Sequence, residues 1–516
     1  MPKFVMSGSN GKTLMNIARV YSRASVGLDA PLVCIEVHLS RGLPAFNLVG
    51  LAHTSVREAK ERVRSAIMAS GFEFPARRIT VNLAPADLPK GGGRYDLAIA
   101  IGILAAAGLI SQQTLHNYEL LAELSLTGEL RSVNAALPFL MASQRAQRAA
   151  LIASEQVNEP VMPEHCTVYA APRLADVYNH LTDRERLNQV DTSPSVSLCP
   201  STPTIDDVIG QHAAKRALEI AAAGGHHMLL CGPPGSGKSM LAQRFMSLLP
   251  PLNTQEALQT ACIYSAAGVT RSTQHWHLRP FRQPHHTCSS VALIGGGQQL
   301  QPGEISLAHH GALFLDELPE FGRSVIDALR QPLETGEVHI SRASGSVTYP
   351  ATFQLIAAMN PSPTGDINDG RSTNEQILRY IGRLSSPLLE RFDMQIMVAR
   401  VPLTEQPHSQ EADGQTARLA RIHHAREVQY ERANKLNAQL SGSDLVDACQ
   451  LSTQDSRFLH AACEKLGMSM RGLHKVMRVA RTVADIEQTR QVNNRQLKEA
   501  MQYRAVERMV AQLGRD

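Results

Sequence analysis

Aromatic residues are scarce in this 516-residue chain: they make up 4% of it, and there is a single Trp. Its cores must therefore be aliphatic and alanine-rich. Eight cysteines are present (Cys34, Cys166, Cys199, Cys231, Cys262, Cys288, Cys449, Cys463), but no Cys-x-x-Cys pair occurs among them. Thiols scattered this way in a long chain argue against a disulfide framework and for a reducing, cytoplasmic compartment. No apolar run reaches the ~20 residues that a membrane span needs. The longest, Leu97 to Ile110, reads as a buried helix. A strong charge bias is missing too: 51 Lys and Arg face 47 Asp and Glu, a net +4 that is too weak to argue for a polyanion. The excess is concentrated from Arg471 to the C-terminus, where ten basic residues meet five acidic ones. Such a stretch permits a nucleic-acid-facing end, and fits a solvated helix face equally well.

At ~100–200 residues per domain the length predicts about three domains. Residues 1–14 look unlike the rest of the chain and read as a leader or a cloning scar. Their Ser9-Asn10-Gly11-Lys12-Thr13 imitates a phosphate loop without the preceding strand or the upstream glycine. Residues 15–187 mix strands (Pro31–Leu39, Arg78–Leu83) with an amphipathic helix over Thr54–Ser70. Residues 188–203 hold Pro194, Pro200 and Pro203 and read as a linker. Residues 204–401 alternate helices with short apolar strands, the pattern of a mostly parallel α/β sheet. Residues 402–516 read as helical, with Leu473, Val476, Met477, Ala480, Val483 and Ala484 on one face. The fold class expected is α/β.

The strongest local signal is Gly232-Pro233-Pro234-Gly235-Ser236-Gly237-Lys238-Ser239, a complete Walker A loop between the apolar run Met228–Cys231 and a helix that begins at Met240. Glycines let backbone N–H groups curl around phosphate oxygens at a helix N-terminus. Lys238 is expected to neutralise the β- and γ-phosphates of ATP, and Ser239 to offer its hydroxyl to Mg²⁺. Gly311–Glu317 then reads as a buried strand with two carboxylates at its carboxyl end: Asp316 for the Mg²⁺ shell and Glu317 for the attacking water. Asn360 ends a third apolar strand, either as a γ-phosphate or water contact or as a plain turn residue. Arg391 follows Pro387-Leu388-Leu389-Glu390. It could pair with Asp393, or serve as an arginine finger for another subunit's γ-phosphate.

Taken in this order, the elements resemble the AAA+ ATPases from Thr204 onward. The resemblance implies that Thr204–Leu218, with Ile209, forms the adenine side, and that Met240 joins the nucleotide contacts. It makes Asn360 sensor 1, Arg391 the finger and Arg471 the sensor 2 arginine of a helical lid. A finger acting between subunits implies a ring, a homo-hexamer. A long insertion precedes Asp316-Glu317 and contains Arg279–Thr287, Leu293–Gly297 and Pro302–His309. After it, Leu333–Tyr349 reads as a hairpin with Arg342 near its tip. This set is similar to the magnesium-chelatase-like AAA+ branch, specifically the competence protein ComM (YifB) family. In related ring helicases the insert and hairpin grip DNA in a central pore. Arg342 is therefore the first candidate DNA contact, and Arg279 and Arg282 come second, with bracing of the insert or a subunit contact as their alternative.

Gly42–Phe46 and Asn82–Lys90 match that family's first domain, whose fold is similar to the Lon protease domain. The positions of the Lon Ser–Lys dyad fall on Arg94 and near Pro138, which supply neither nucleophile nor base, so proteolysis is not expected. Many members carry a zinc-like cysteine cluster after sensor 1. Here Asn360–Gly365 and Arg371–Thr373 have no Cys, and zinc is not expected. The paired histidines 226–227, 285–286, 309–310 and 423–424 diverge on strands and helices, so they too carry no metal expectation. The resemblance implies an ATP- and Mg²⁺-dependent branch-migration helicase for natural transformation. Its DNA would be single-stranded or branched, its rings single or stacked, with recombination proteins as partners. The alternatives are a chelatase-type ATPase subunit and a nucleotide-dependent remodeller that ignores DNA.

Overall fold

The computed structural model describes residues 17–49, 53–88, 90–158, 165–191, 203–269, 271, 275–297, 300–342, 345–367, 371–401 and 414–513. The leader-like residues 1–14, most of the 188–203 linker and the hairpin tip at Ala343 and Ser344 lie outside them. Contacts divide the chain into two units: Met1–Ser197 with Ala261–Thr273, and Leu198–Thr260 with Gln274–Asp516.

In the first unit, alternation of apolar and polar residues builds strands with one buried face. They are β1 (Ile17–Arg23), β2 (Leu32–Ser40), β3 (Ala45–Val49), β4 (Arg78–Ala84), β5 (Tyr118–Leu121), β8 (Ala149–Ala153) and β9 (Val168–Ala171). They form one mixed sheet in the order β3-β4-β2-β1-β5-β8-β9. The short β6 (Glu123–Leu124) and β7 (Leu130–Arg131) pair separately. The long apolar run becomes the helix Asp96–Ala106, buried on nearly every side, as expected of a segment that is apolar all round. Gly102 within it lies so close to β2 that a Cβ would stand 2.6 Å from Val37. Asp96 opens this helix and pairs with Arg62 Nε at 2.7 Å. Burial nevertheless pushes its carboxyl up to about 6.

In the second unit, five short strands make a wholly parallel sheet. They are β10 (Met228–Cys231), β11 (Phe281–Arg282), β14 (Ala312–Leu315), β17 (Gln354–Met359) and β18 (Met394–Met397). Their order across the sheet is β11-β14-β17-β10-β18. Both faces of such a sheet are covered, so the strands are continuous apolar runs rather than alternating ones. The C-terminal helices share one hydrophobic core with this sheet. Ile422, Ala425, Val476, Ala480 and Val483 pack with Leu230, Phe314 and Ile356. The helix Met470–Ile486 buries the face that its 3.6-residue period marks out.

Two antiparallel hairpins leave the sheet. One is β12 (Gly295–Gly296) with β13 (Gln301–Pro302); the other is β15 (Glu337–Arg342) with β16 (Gly345–Pro350). They touch: the buried Tyr349 hydroxyl donates to the Leu300 carbonyl at 2.9 Å. The edge of the core sheet corrects one expectation. Arg279–Thr287 was expected inside the insertion, yet Phe281–Arg282 is the edge strand, paired with Ala312–Leu313. A two-residue strand between Pro280 and Pro284 is too short to show any period.

Candidate active site

The carboxyl ends of β10, β14 and β17 come together, and such ends are where ligands sit in open parallel sheets. After β10 the chain turns sharply at Gly232, where a Cβ would lie 2.2 Å from the Val398 carbonyl oxygen. Gly237 caps the next helix, Lys238–Phe245, in the left-handed region at φ 89°, which glycine adopts without strain. Lys238 points back over its own loop. Its Nζ donates to the carbonyls of Gly232 (2.7 Å) and Pro233 (3.0 Å) and to Asn360 Oδ1 (3.2 Å). Burial lowers the Lys238 pKa from its ordinary value, and Asp316 offsets part of that. The Ser239 hydroxyl donates to Asp316 Oδ2 at 2.6 Å.

Glu317 follows in a left-handed conformation (φ 52°), its N–H donating to Asp316 Oδ1 at 3.0 Å. Its half-exposed carboxylate lies 3.4 Å from His286 Nδ1. In the sequence His286 stands out only as half of a histidine pair, with no local signal for this contact. The Ser236 hydroxyl is buried without a hydrogen-bond partner. Gln211 donates to the Ser236 carbonyl (3.1 Å) and the Ala399 carbonyl (2.6 Å), bringing the Thr204–Leu218 segment to the loop. Ile209 and Met240 stand exposed there.

The two remaining catalytic candidates lie elsewhere. Arg391 and Arg471 line a cavity of about 700 Å³ with Glu334, Glu390 and Lys475. Among the described residues, the hydrogen bonds and ion pairs of Gly232–Ser239 include neither arginine. Arg391 pairs with Glu334, not with Asp393, and its Nε is buried without a partner. Burial, then the nearby Arg471 and Arg330, lower its pKa. Arg471 is mostly exposed and lies 3.3 Å from Glu390. Asp393 is instead held by Lys475 at 3.1 Å.

Of the candidate DNA contacts, Arg342 is exposed at the end of β15. Arg279 is spent internally, on the carbonyls of Pro250 and His310 (2.7 Å each) and on Glu256 (3.1 Å). Arg282 forms a two-pronged pair with Glu304 at 2.6 and 2.7 Å. Both guanidiniums thus engage acceptors within the chain. After Asn360, hydroxyls occupy the segment: Thr364 bonds Ser372 at 2.9 Å, and Ser362 donates to the Asp366 carbonyl at 2.7 Å. In the first unit, two nitrogens of Arg94 are buried without partners, and Pro138 sits in the helix Ala136–Arg145. Among the described residues no helix is long and apolar enough to cross a membrane.

The chain matches three family descriptions in succession: subunit ChlI of Mg-chelatase over residues 35–156, magnesium chelatase subunit ChlI over 204–406, and the magnesium chelatase subunit ChlI C-terminal region over 414–504. It is 48% identical to the competence protein ComM of Haemophilus influenzae, over 97% of this chain and 99% of that protein. It is 47% identical to the YifB protein of Salmonella typhimurium with the same coverage. A more distant similarity, 24% identity over 53% of this chain and 30% of the relative, joins it to the DNA helicase MCM8 of Xenopus laevis. With near-complete coverage at such identity, the chain belongs to the competence protein ComM / YifB family of magnesium-chelatase-like proteins.

Proposed function

We propose that this chain is an AAA+ ATPase that works as a hexameric ring on DNA, a branch-migration helicase that extends heteroduplex during natural transformation. One observation carries the reading: the catalytic equipment is divided between two places. Lys238, Ser239, Asp316, Glu317 and Asn360 gather at the loop, while Arg391 and Arg471 line another cavity. Arginines placed there serve a neighbouring copy's nucleotide, as the stabilisation of phosphoryl-transfer charge requires.

The loop fits ATP and Mg²⁺. The orphaned Ser236 hydroxyl and a Lys238 ammonium resting on its own loop carbonyls are groups that a phosphate would satisfy. Ser239 and Asp316 would hold the ion, whose charge offsets that of the phosphates. Lys238 binds the phosphate oxygens, Asn360 orients, and Glu317 takes a proton from the attacking water. The exposed Arg342 engages DNA phosphates, giving salt-sensitive and sequence-tolerant binding. The first unit acts as a Lon-like domain without protease chemistry, since by that resemblance the dyad positions fall on Arg94 and near Pro138.

The 48%-identical relative is a competence protein, which supports the competence setting, and the distant helicase similarity supports DNA as the track. The chelatase family descriptions favour a second reading, an ATPase subunit that drives metal insertion. ATP turnover measured with and without four-way or forked DNA, together with displacement of a labelled strand, separates the two. Stimulation with displacement is expected; their joint absence sinks the helicase reading.

A further inference from the structure

Asp393 is 4% exposed, and its carboxylate is shared among several elements. Oδ1 lies 3.1 Å from Lys475 Nζ, on the helix Met470–Ile486. Oδ2 accepts the His227 N–H, just before β10, at 3.1 Å. The same oxygen lies 3.7 Å from His226 Nδ1. His226 Nε2 in turn shares a 2.7 Å hydrogen bond with Thr482, on the same helix as Lys475. The backbone beside the carboxylate is clamped as well, because Arg504 Nη1 donates to the carbonyls of Phe392 (2.9 Å) and Asp393 (3.4 Å).

Arg391 comes two residues before this carboxylate, and Arg471 comes four residues before Lys475, one turn along the same helical face. A single buried ion pair therefore joins the segment that presents Arg391 to the helix that presents Arg471. Buried ion pairs contribute little net stability compared with apolar packing, and their best-attested use is to fix register. Fixing register matters here because both guanidiniums line one cavity and neither is anchored deeply. Arg391 rests on the half-exposed Glu334, and Arg471 on Glu390.

We infer that Asp393 is a positioning residue: by holding Lys475 it sets Arg391 and Arg471 in register, so that both meet one nucleotide of a neighbouring copy. This rests on the intersubunit site proposed above. It makes Asp393 act on the neighbour's ATP and not on its own.

Mixed rings test it. Asp393→Asn removes the charge but keeps an acceptor for the His227 N–H. Mixed with Lys238→Ala, which has intact arginines and a crippled loop, it should regain turnover at the Asp393→Asn loops. Alone, Asp393→Asn should turn over about 10-fold or more slowly, with affinity for a fluorescent ATP analogue within about 2-fold of wild type. Arg391→Ala mixed with Lys238→Ala is the reference. If that pair regains nothing, the shared-site reading itself falls. If it regains turnover and the Asp393→Asn mixture does not, or if Asp393→Asn alone turns over normally, the inference falls and the shared site stands. The double variant Asp393→Asn/Lys475→Met leaves no unpaired charge in the core. It should show the same defect and the same complementation, and it decides the matter if the single variant does not fold.

Discussion

Lys238 Nζ and Asn360 Oδ1 lie 3.2 Å apart, so the residue that would grip the phosphates already touches the residue that ends the neighbouring strand. β10 and β17 pair in parallel, with Cys231 beside Met359, and this register delivers the two side chains to the same place. The carboxylates one strand further on complete the group through Ser239 and Asp316.

Two substitutions should separate binding from chemistry. Glu317→Gln should lower ATP turnover by about 10²–10⁴-fold and leave nucleotide affinity nearly unchanged, since among the described residues this carboxylate's ion pair is with His286 and it acts on Lys238 only through its charge. Lys238→Ala should lose both. Turnover and fluorescent-nucleotide titration measure the two effects, and a Glu317→Gln protein that still hydrolyses ATP would remove Glu317 from its role. Chelating Mg²⁺ should stop turnover in the wild-type protein.

Arg342 and Arg279 should behave differently although both were candidates for the same task. Arg342→Ala should weaken DNA binding and reduce the slope of log K against log salt by about one, with DNA-free ATP turnover unchanged. Arg279→Ala removes the donor to the Pro250 and His310 carbonyl oxygens and the cation beside Glu256, which keeps the Asn253 N–H at 3.1 Å, at a cost of about 1–3 kcal/mol in unfolding free energy. A salt titration and a urea melt on each variant check the contrast, and equal effects of both on the salt slope would refute it.

Acid should act in part through His309. The imidazole is 3% exposed and accepts the Thr352 N–H on Nδ1 at 3.0 Å. Burial, with His310 beside it, pushes its pKa down to about 3. The unfolded chain therefore takes the proton first. Stability from the neutral ring is complete above about pH 6.5 and drains away as pH falls toward the folded value, by a few kcal/mol in all, roughly. Urea midpoints between pH 7.5 and 4.5 should fall less steeply for His309→Gln than for the wild type. Parallel slopes would count against His309 as an acid-sensitive group beside His227, which burial also pushes down, to about 4.

A buried network in the C-terminal helices offers a stability test remote from the site. Asp485, at 2% exposure, receives Arg432 and Arg481 at 2.9 Å each and Asn437 Nδ2 at 2.8 Å. Asp485→Ala leaves Arg481 buried without its carboxylate, and should cost about 3–5 kcal/mol. Denaturant melts measure it, and a loss below about 1 kcal/mol would contradict so central a role.

What the sequence made legible is local. Gly232–Ser239 could be read because a short apolar strand, a glycine-rich turn and a helix start lie next to one another. The buried helix at Asp96–Ala106 and the apolar face of Met470–Ile486 are likewise written in consecutive residues. What stayed hidden depends on partners far along the chain. Asp393 had Arg391 as its obvious neighbour, yet Lys475 takes it. Arg279 meets Glu256 and the Pro250 carbonyl, partners 23 and 29 residues away that its flanking prolines do not announce. Arg282 sits on a strand of two residues, which no periodicity can reveal. His286 meets Glu317 only because the edge strand brings its following loop over the end of β14.

The pairing of Arg282 with Glu304 has a consequence for how such a chain can change. The excursion that carries β12 and β13 leaves after Arg282 and returns at Glu304, so this pair staples its two ends together at the edge of the core sheet. A segment tethered this way is a cassette. A change in its length leaves the two stapled ends, and the order of the parallel strands beneath them, where they are.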